Sequence, residues 1–176
     1  MTSSASSQSQ AAAPKPQFSA TVICSRHTEI RLTQLIAALR TIAPSSVMGD
    51  WTGPFSTPPA DALGTGMISI DGIPLSLLEV NQPLPPEFFD TGSIPNHLMP
   101  NPLQQLRNHR AHVYVTPAKL PEGRGAAIAT APAVTLLTWA VAVVTQAEAF
   151  KWTDANNIVP VSLLQKCAPV LLSSGT

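Results

Sequence analysis

The chain has 176 residues, of which 44% are hydrophobic and only 11% are charged, and ten basic and ten acidic residues give a formal net charge of zero. This length suits one domain with a tail, and the low charge favours a surface that is partly reserved for a partner. Because there is no basic stripe with interleaved aromatic residues, the composition argues against nucleic-acid binding.

Residues 1–17 are almost entirely Ser, Ala, Gln and Pro, which predicts a disordered leader. This leader lacks the basic and long apolar regions of a secretory signal, so a cytoplasmic location is the default expectation. One domain is predicted over residues 18–170, with a loose tail at 171–176. Cys24 and Cys167 are predicted to be reduced and buried, and a single disulfide stays open if the protein is exported.

The first predicted elements are a strand over residues 18–25 and an amphipathic helix. Thr28 is the predicted N-cap of this helix, apolar residues repeat at helical spacing from Leu32 to Leu39, and Pro44 ends it. A loop-rich segment follows over residues 45–65, in which 47–51 is a candidate short strand.

Residues 66–80, GMISIDGIPLSLLEV, are two apolar runs that meet at Asp71-Gly72. This dipeptide strongly favours a tight turn, so the segment predicts a β-hairpin. The apolar side chains of the hairpin must be covered, and helices are the elements left to cover them. Asp71 is explained by the turn, and Glu79 is expected to be exposed at the end of its strand.

A Pro-rich segment occupies residues 81–102, and connections of this length inside a compact domain are often functional. Pro102 is suited to open a short helix that continues to about residue 108. The apolar run at 111–115, AHVYV, then predicts a further strand.

Residues 126–147 carry no charge and are long enough to cross a membrane. Ala and Thr dominate them and Pro132 interrupts them, which favours a helix buried across the sheet, with Leu136, Trp139 and Val143 facing the strands. A last short strand at 150–152, a turn at 154–157 and an amphipathic or extended piece at 161–170 complete the chain.

This order of elements predicts a single α+β domain. Its sheet is expected to be mixed and mostly antiparallel, with the central β-hairpin packed against the long apolar helix and the N-terminal amphipathic helix.

The histidines are the first candidates for chemistry. His109 and His112 lie three residues apart where a helix meets a strand, and His97 could join them as a metal-binding or catalytic cluster if the fold brings the three together. The favoured interpretation keeps His112 hydrogen-bonded inside the sheet and His109 exposed. Cys24 and His27 are a thiol and an imidazole at a strand end, but they match no known motif. No catalytic residue, cofactor or metal is predicted.

Aromatic and apolar residues beside loops are the candidates for contact with a partner. Trp139, inside the long helix, is instead expected in the core. The predicted partner-binding residues are Phe88, Phe89, His97, Met99, Trp51 and Trp152.

The run MISIDGIPLSLLEVNQPLPP, the Pro-rich segment after it and the run LRNHRAHVYV resemble the bacterial domain-of-unknown-function family 4261. The likeness falls on Asp71-Gly72, on 83–86 and on His109-Arg110-Ala111-His112, and it continues in the later helix and in the segment from 150–152 to 160–161. The resemblance implies an α+β bacterial domain without an established activity.

The sequence therefore favours a non-enzymatic protein-binding protein. By analogy with small bacterial proteins that lack catalytic motifs, we expect an immunity protein that neutralises a cognate toxin, from type VI secretion or a similar system, by steric occlusion. The alternative is a small enzyme or metal-binding domain that uses His97, His109 and His112. A protein anchored in a membrane by residues 126–147 is the third interpretation, and it is not favoured.

Overall fold

The computed structural model describes residues 18–49, 51, 64–90 and 96–166, so the predictions for the leader, for Cys167 and for the C-terminal tail lie outside the described residues. The strands are β1 Ala20–Cys24, β2 Gly64–Ile70, β3 Ile73–Val80, β4 Ala111–Pro117, β5 Ala149–Trp152 and β6 Asn157–Pro160. The helices are α1 Leu32–Ile42, α2 Pro102–Gln105 and α3 Gly123–Thr145, with a single 3-10 turn at Pro86–Phe89. Residues 161–166 are also helical.

The six strands form one open sheet in the order β2-β3-β4-β1-β5-β6. Every pair of neighbours in it is antiparallel. The predicted α+β class, the β-hairpin and its packing against a long apolar helix are confirmed. The hairpin lies at one edge of the sheet, with β2 outermost, and not at its centre. The expectation of a mixed sheet is corrected, because no two strands of the described chain pair in parallel.

The β2–β3 hairpin turns at Asp71 and Gly72, which have φ angles of 51° and 78°. Two positive φ angles define the turn type that Asp-Gly favours, because this turn matches the natural twist of the paired strands. The Asp71 carboxylate also accepts a hydrogen bond from the Val47 backbone at 2.7 Å. Next to Val47, Met48 forms a bridge with Ile70, so the described residues of the predicted strand at 47–51 form a single bridge.

Helices α1 and α3 pack together across one face of the sheet and bury the main core. Along α3, Val134, Leu137 and Val141 are fully buried. Their spacing puts them on the same side of the helix. Val143 lies on another side and is exposed, which corrects the prediction that it faces the strands. Leu136 is buried and Trp139 is half-buried against this core.

Helix α3 is long and apolar enough to cross a membrane, and half of its most apolar window is buried within the protein. Its contacts with α1 and with four strands are those of the central core helix that the sequence favoured over a membrane span. Its first turns are largely exposed, and Ile128 is the most exposed of its large apolar residues.

Helix α1 begins at Leu32, four residues after the predicted N-cap Thr28. The segment before it is held away from a helical path by β3 and the residue that follows. The Thr28 backbone N–H donates to Asn81 Oδ1 at 2.9 Å, and the Ile30 backbone N–H donates to Glu79 Oε1 at 2.8 Å. Tertiary hydrogen bonds therefore override the local capping signal.

Candidate functional site

The described parts of the Pro-rich segment, 81–90 and 96–102, build a second core on the face of the sheet that α1 and α3 leave open. Phe89 and Met99 from this segment are buried. They pack with other buried residues of the segment, of the turn after α2 and of the strands, namely Leu84, Leu106, Ile23, Ala149 and Ile158. The sequence predicted Phe89 and Met99 as partner-binding residues, but in this fold they anchor the segment to β1, β5 and β6.

Lys151 fastens the same segment through a charged side chain. It lies on β5, it is only 8% exposed, and its Nζ donates to the Phe88 backbone carbonyl at 2.6 Å. Nζ also lies 4.4 Å from the centroid of the Phe88 ring, within cation–π range. Burial lowers the pKa of Lys151, and the Asp90 carboxylate opposes that effect. Phe88 is half-buried beneath this lysine, and its ring also contacts the ring of Phe89 edge-on.

His109 is buried, which corrects the expectation that it is exposed, and both of its ring nitrogens are engaged by backbone groups. Nε2 accepts a hydrogen bond from the Leu84 N–H at 2.7 Å, and Nδ1 lies 2.6 Å from the Leu106 carbonyl oxygen. An N–H donor at one nitrogen and a carbonyl at the other fix a neutral ring protonated on Nδ1. A metal could bind this ring only by breaking one of these bonds.

His112 is buried in the sheet and hydrogen-bonded, as the sequence predicted: its Nδ1 lies 2.9 Å from the Gln82 carbonyl oxygen. Burial lowers its pKa, and this hydrogen bond partly opposes the change. His97 is exposed, unlike the other two. Within the described residues no group of three His, Cys, Asp or Glu side chains is placed to hold a metal ion. His109, just before β4, and His112, in β4, instead each form a hydrogen bond with a backbone group of the Pro-rich segment and hold it beside the sheet.

Between its buried anchors and α2, the Pro-rich segment exposes polar and apolar side chains. His97 is exposed, and Leu98 and Leu103 are exposed to 46% and 45%. We call His97, Leu98 and Leu103 the 97–103 surface. The sequence does not predict that Leu98 and Leu103 are exposed. Leu98 is exposed and its neighbour Met99 is buried because Met99 packs against strands that are distant in the sequence.

Trp51 and Trp152, the remaining predicted partner contacts, are half-buried and pack against the main core. Trp152 lies edge-on to Phe150, with ring centroids 5.6 Å apart. Trp51 covers Gly66 so closely that a Cβ at that position would overlap the indole ring.

A cavity of about 580 Å³ opens beside Trp51, between the 27–32 segment and the paired ends of β2 and β3. Glu79 lines this cavity and is only 5% exposed, which corrects the expectation that it is exposed at a strand end. Burial raises the pKa of Glu79. The Ile30 N–H and the Thr28 hydroxyl oppose this rise, and the negative charge of Glu29 adds to it. Sequence reasoning missed this site, because the cavity depends on strand pairing and on the placement of Trp51.

Cys24 is fully buried, and burial raises the pKa of its thiol to about 11. A thiol that stays protonated at neutral pH is a poor nucleophile. His27 is exposed at the rim of the cavity. The thiol and imidazole that the sequence places near each other therefore do not form an activated pair.

No family model, no curated protein and no solved structure matches this chain.

Proposed function

We propose that this protein is a non-enzymatic binding protein that recognises another protein through the 97–103 surface. The observation that carries the proposal is the way the Pro-rich segment is held. Buried Phe89 and Met99 anchor the described parts of the segment, while Leu98 and Leu103 stay exposed to solvent. A surface held in place before binding loses less conformational entropy on association.

The finer form of the proposal is an immunity protein that occludes a cognate secreted toxin in the bacterial cytoplasm. It rests on the analogy with small bacterial proteins that lack catalytic motifs. Steric occlusion of this kind buries about 800 Å² on each partner. The exposed leucines supply apolar contacts, and His97 adds a ring that can donate and accept hydrogen bonds.

The test is capture of the partner from a lysate of the source bacterium, followed by mass spectrometry. We expect one dominant protein, encoded beside this gene, to bind the wild-type chain and to be lost with Leu98→Asp. Leu120→Asp is the matched control, because Leu120 is also a leucine with 46% exposure and lies in another loop. Co-expression should then restore growth of cells that produce the captured protein.

The proposal fails if both aspartate variants retain the partner equally, because the contact then lies elsewhere. The immunity role fails separately if the captured protein is harmless when it is produced alone. Turnover of a substrate by the purified chain without any partner would overturn the non-enzymatic assignment.

A further inference from the structure

The cavity beside Trp51 contains an acid without a counter-ion. The Glu79 carboxylate accepts a hydrogen bond from the Ile30 backbone N–H, and it forms no ion pair with a described residue. A buried carboxylate without a cationic partner lowers stability, because the charged form loses its hydration. A cation that enters the cavity would supply the missing charge.

The Thr28 hydroxyl is a second polar group, and it lies beside the Glu79 carboxyl. Thr28 is buried and lines the cavity, and its oxygen lies beside the Glu79 carboxyl. No described residue, however, is placed to form a hydrogen bond of good geometry with that oxygen. Because that oxygen is itself closed to solvent, the Glu79 carboxylate is the acceptor left for the N–H groups of a ligand.

The neighbouring part of the lining is aromatic and is formed by Trp51 over Gly66. On β2 and β3, Gly66 pairs with Leu77 and Gly64 pairs with Glu79, so the indole and the carboxylate occupy neighbouring rows of one face. Gly64 also leaves room for the carboxylate, because a Cβ there would lie 2.9 Å from Glu79 Oε2. An aromatic ring next to a carboxylate is an arrangement that binds organic cations.

We propose that this cavity, the Glu79 pocket, binds a protonated amine or guanidinium group, with Glu79 as its counter-ion and Trp51 as its aromatic wall. The volume of about 580 Å³ accommodates a small molecule or one basic side chain. His27 and Glu29 lie at the exposed rim, and Glu29 is 3.5 Å from Arg31. This proposal is independent of the 97–103 surface.

The test is isothermal titration of the full chain with two pairs of probes. Spermidine and agmatine represent free amines, and N-acetyl-lysine amide and N-acetyl-arginine amide represent basic side chains of a protein. We expect saturable binding of at least one probe, weakened at least tenfold by Glu79→Gln and by Trp51→Leu. Tighter binding of the free amines assigns a small-molecule ligand, and tighter binding of the capped amino acids assigns a protein side chain.

Two controls check that a loss of affinity is specific to Glu79 and is not caused by unfolding. Glu87→Gln removes an exposed carboxylate from the 3-10 turn and should leave the affinity unchanged. Circular dichroism should show that Glu79→Gln remains folded, since its amide oxygen can still accept the Ile30 N–H. The proposal is overturned if no probe saturates, or if folded Glu79→Gln binds as tightly as the wild-type chain.

Discussion

The two faces of the sheet are covered in different ways. Under α1 and α3 the buried cluster is aliphatic and aromatic, and the helices satisfy their own backbone hydrogen bonds. The opposite face is covered by a Pro-rich segment, and side chains from the sheet side satisfy its backbone groups. Lys151, His109 and His112 each bond a backbone group of this segment. The described parts of this segment, 81–90 and 96–102, therefore use polar anchors for their backbone groups, where the long helices use apolar ones.

The largest effect is expected from damage to the helical face. Leu137→Ala should lower the free energy of unfolding by about 2–5 kcal/mol, because it leaves a cavity in the main core. Leu137 is fully buried at the centre of α3. Guanidinium melts should show this loss, with Leu120→Ala as the control at an exposed leucine. A change equal to that of the control would mean that α3 does not hold the core as described.

A smaller effect is expected from the anchors on the other face. His109→Ala should cost about 1–3 kcal/mol, because it leaves the buried Leu84 N–H without an acceptor. Amide exchange at Leu84 should accelerate more than exchange at Val113 in β4. His97→Ala, at an exposed histidine, should change neither quantity. Equal acceleration at Leu84 and Val113 would show that the segment and the helical face unfold as one unit.

Glu79→Gln should change stability in a pH-dependent way. The pKa of Glu79 is raised above its ordinary value of 4.5 by burial, so its contribution to stability is fully present below pH 4.5 and is lost as the pH rises through the folded pKa. Glutamine cannot ionise and escapes this loss. The melting temperature of the variant should therefore gain on that of the wild-type chain from pH 4 to pH 8, and a constant difference would contradict this account.

The smallest effect is expected at the exposed ion pair of Lys119 and Glu122, whose charged atoms lie 3.6 Å apart. Lys119→Ala should change the free energy of unfolding by less than about 0.5 kcal/mol, because exposed pairs are well screened by water and salt. Urea melts at low and high salt should give the same loss for this variant within that range. A larger loss of unfolding free energy would mean that the Lys119–Glu122 ion pair stabilises the fold although it is exposed.

The helical face could be predicted largely from the sequence, whereas the other face could not. Asp71-Gly72 marks the hairpin, and the uncharged run after residue 125 marks α3, because both signals depend on nearby residues. The start of α1 was predicted too early, since Thr28 and Ile30 donate to Asn81 and Glu79, about fifty positions away. Strand β6 was missed because it is short and follows a turn rich in Asn.

The candidate sites, too, could be predicted only in part from the sequence. The sequence marked the Pro-rich segment as a binding element, but Phe89 and Met99 proved to be its anchors, and Leu98 and Leu103 its exposed apolar residues. No local pattern separates an anchor from a contact when both are apolar. The burial of Glu79 likewise arises from its pairing with Gly64 across two strands.

The most direct test of the central claim is amide exchange of the chain with and without its captured protein partner. The account predicts that binding protects the peptide that covers residues 97–103 and leaves the peptide over α1 unchanged. Protection confined to α1 or to the exposed first turns of α3, with exchange at 97–103 unaltered, would contradict it.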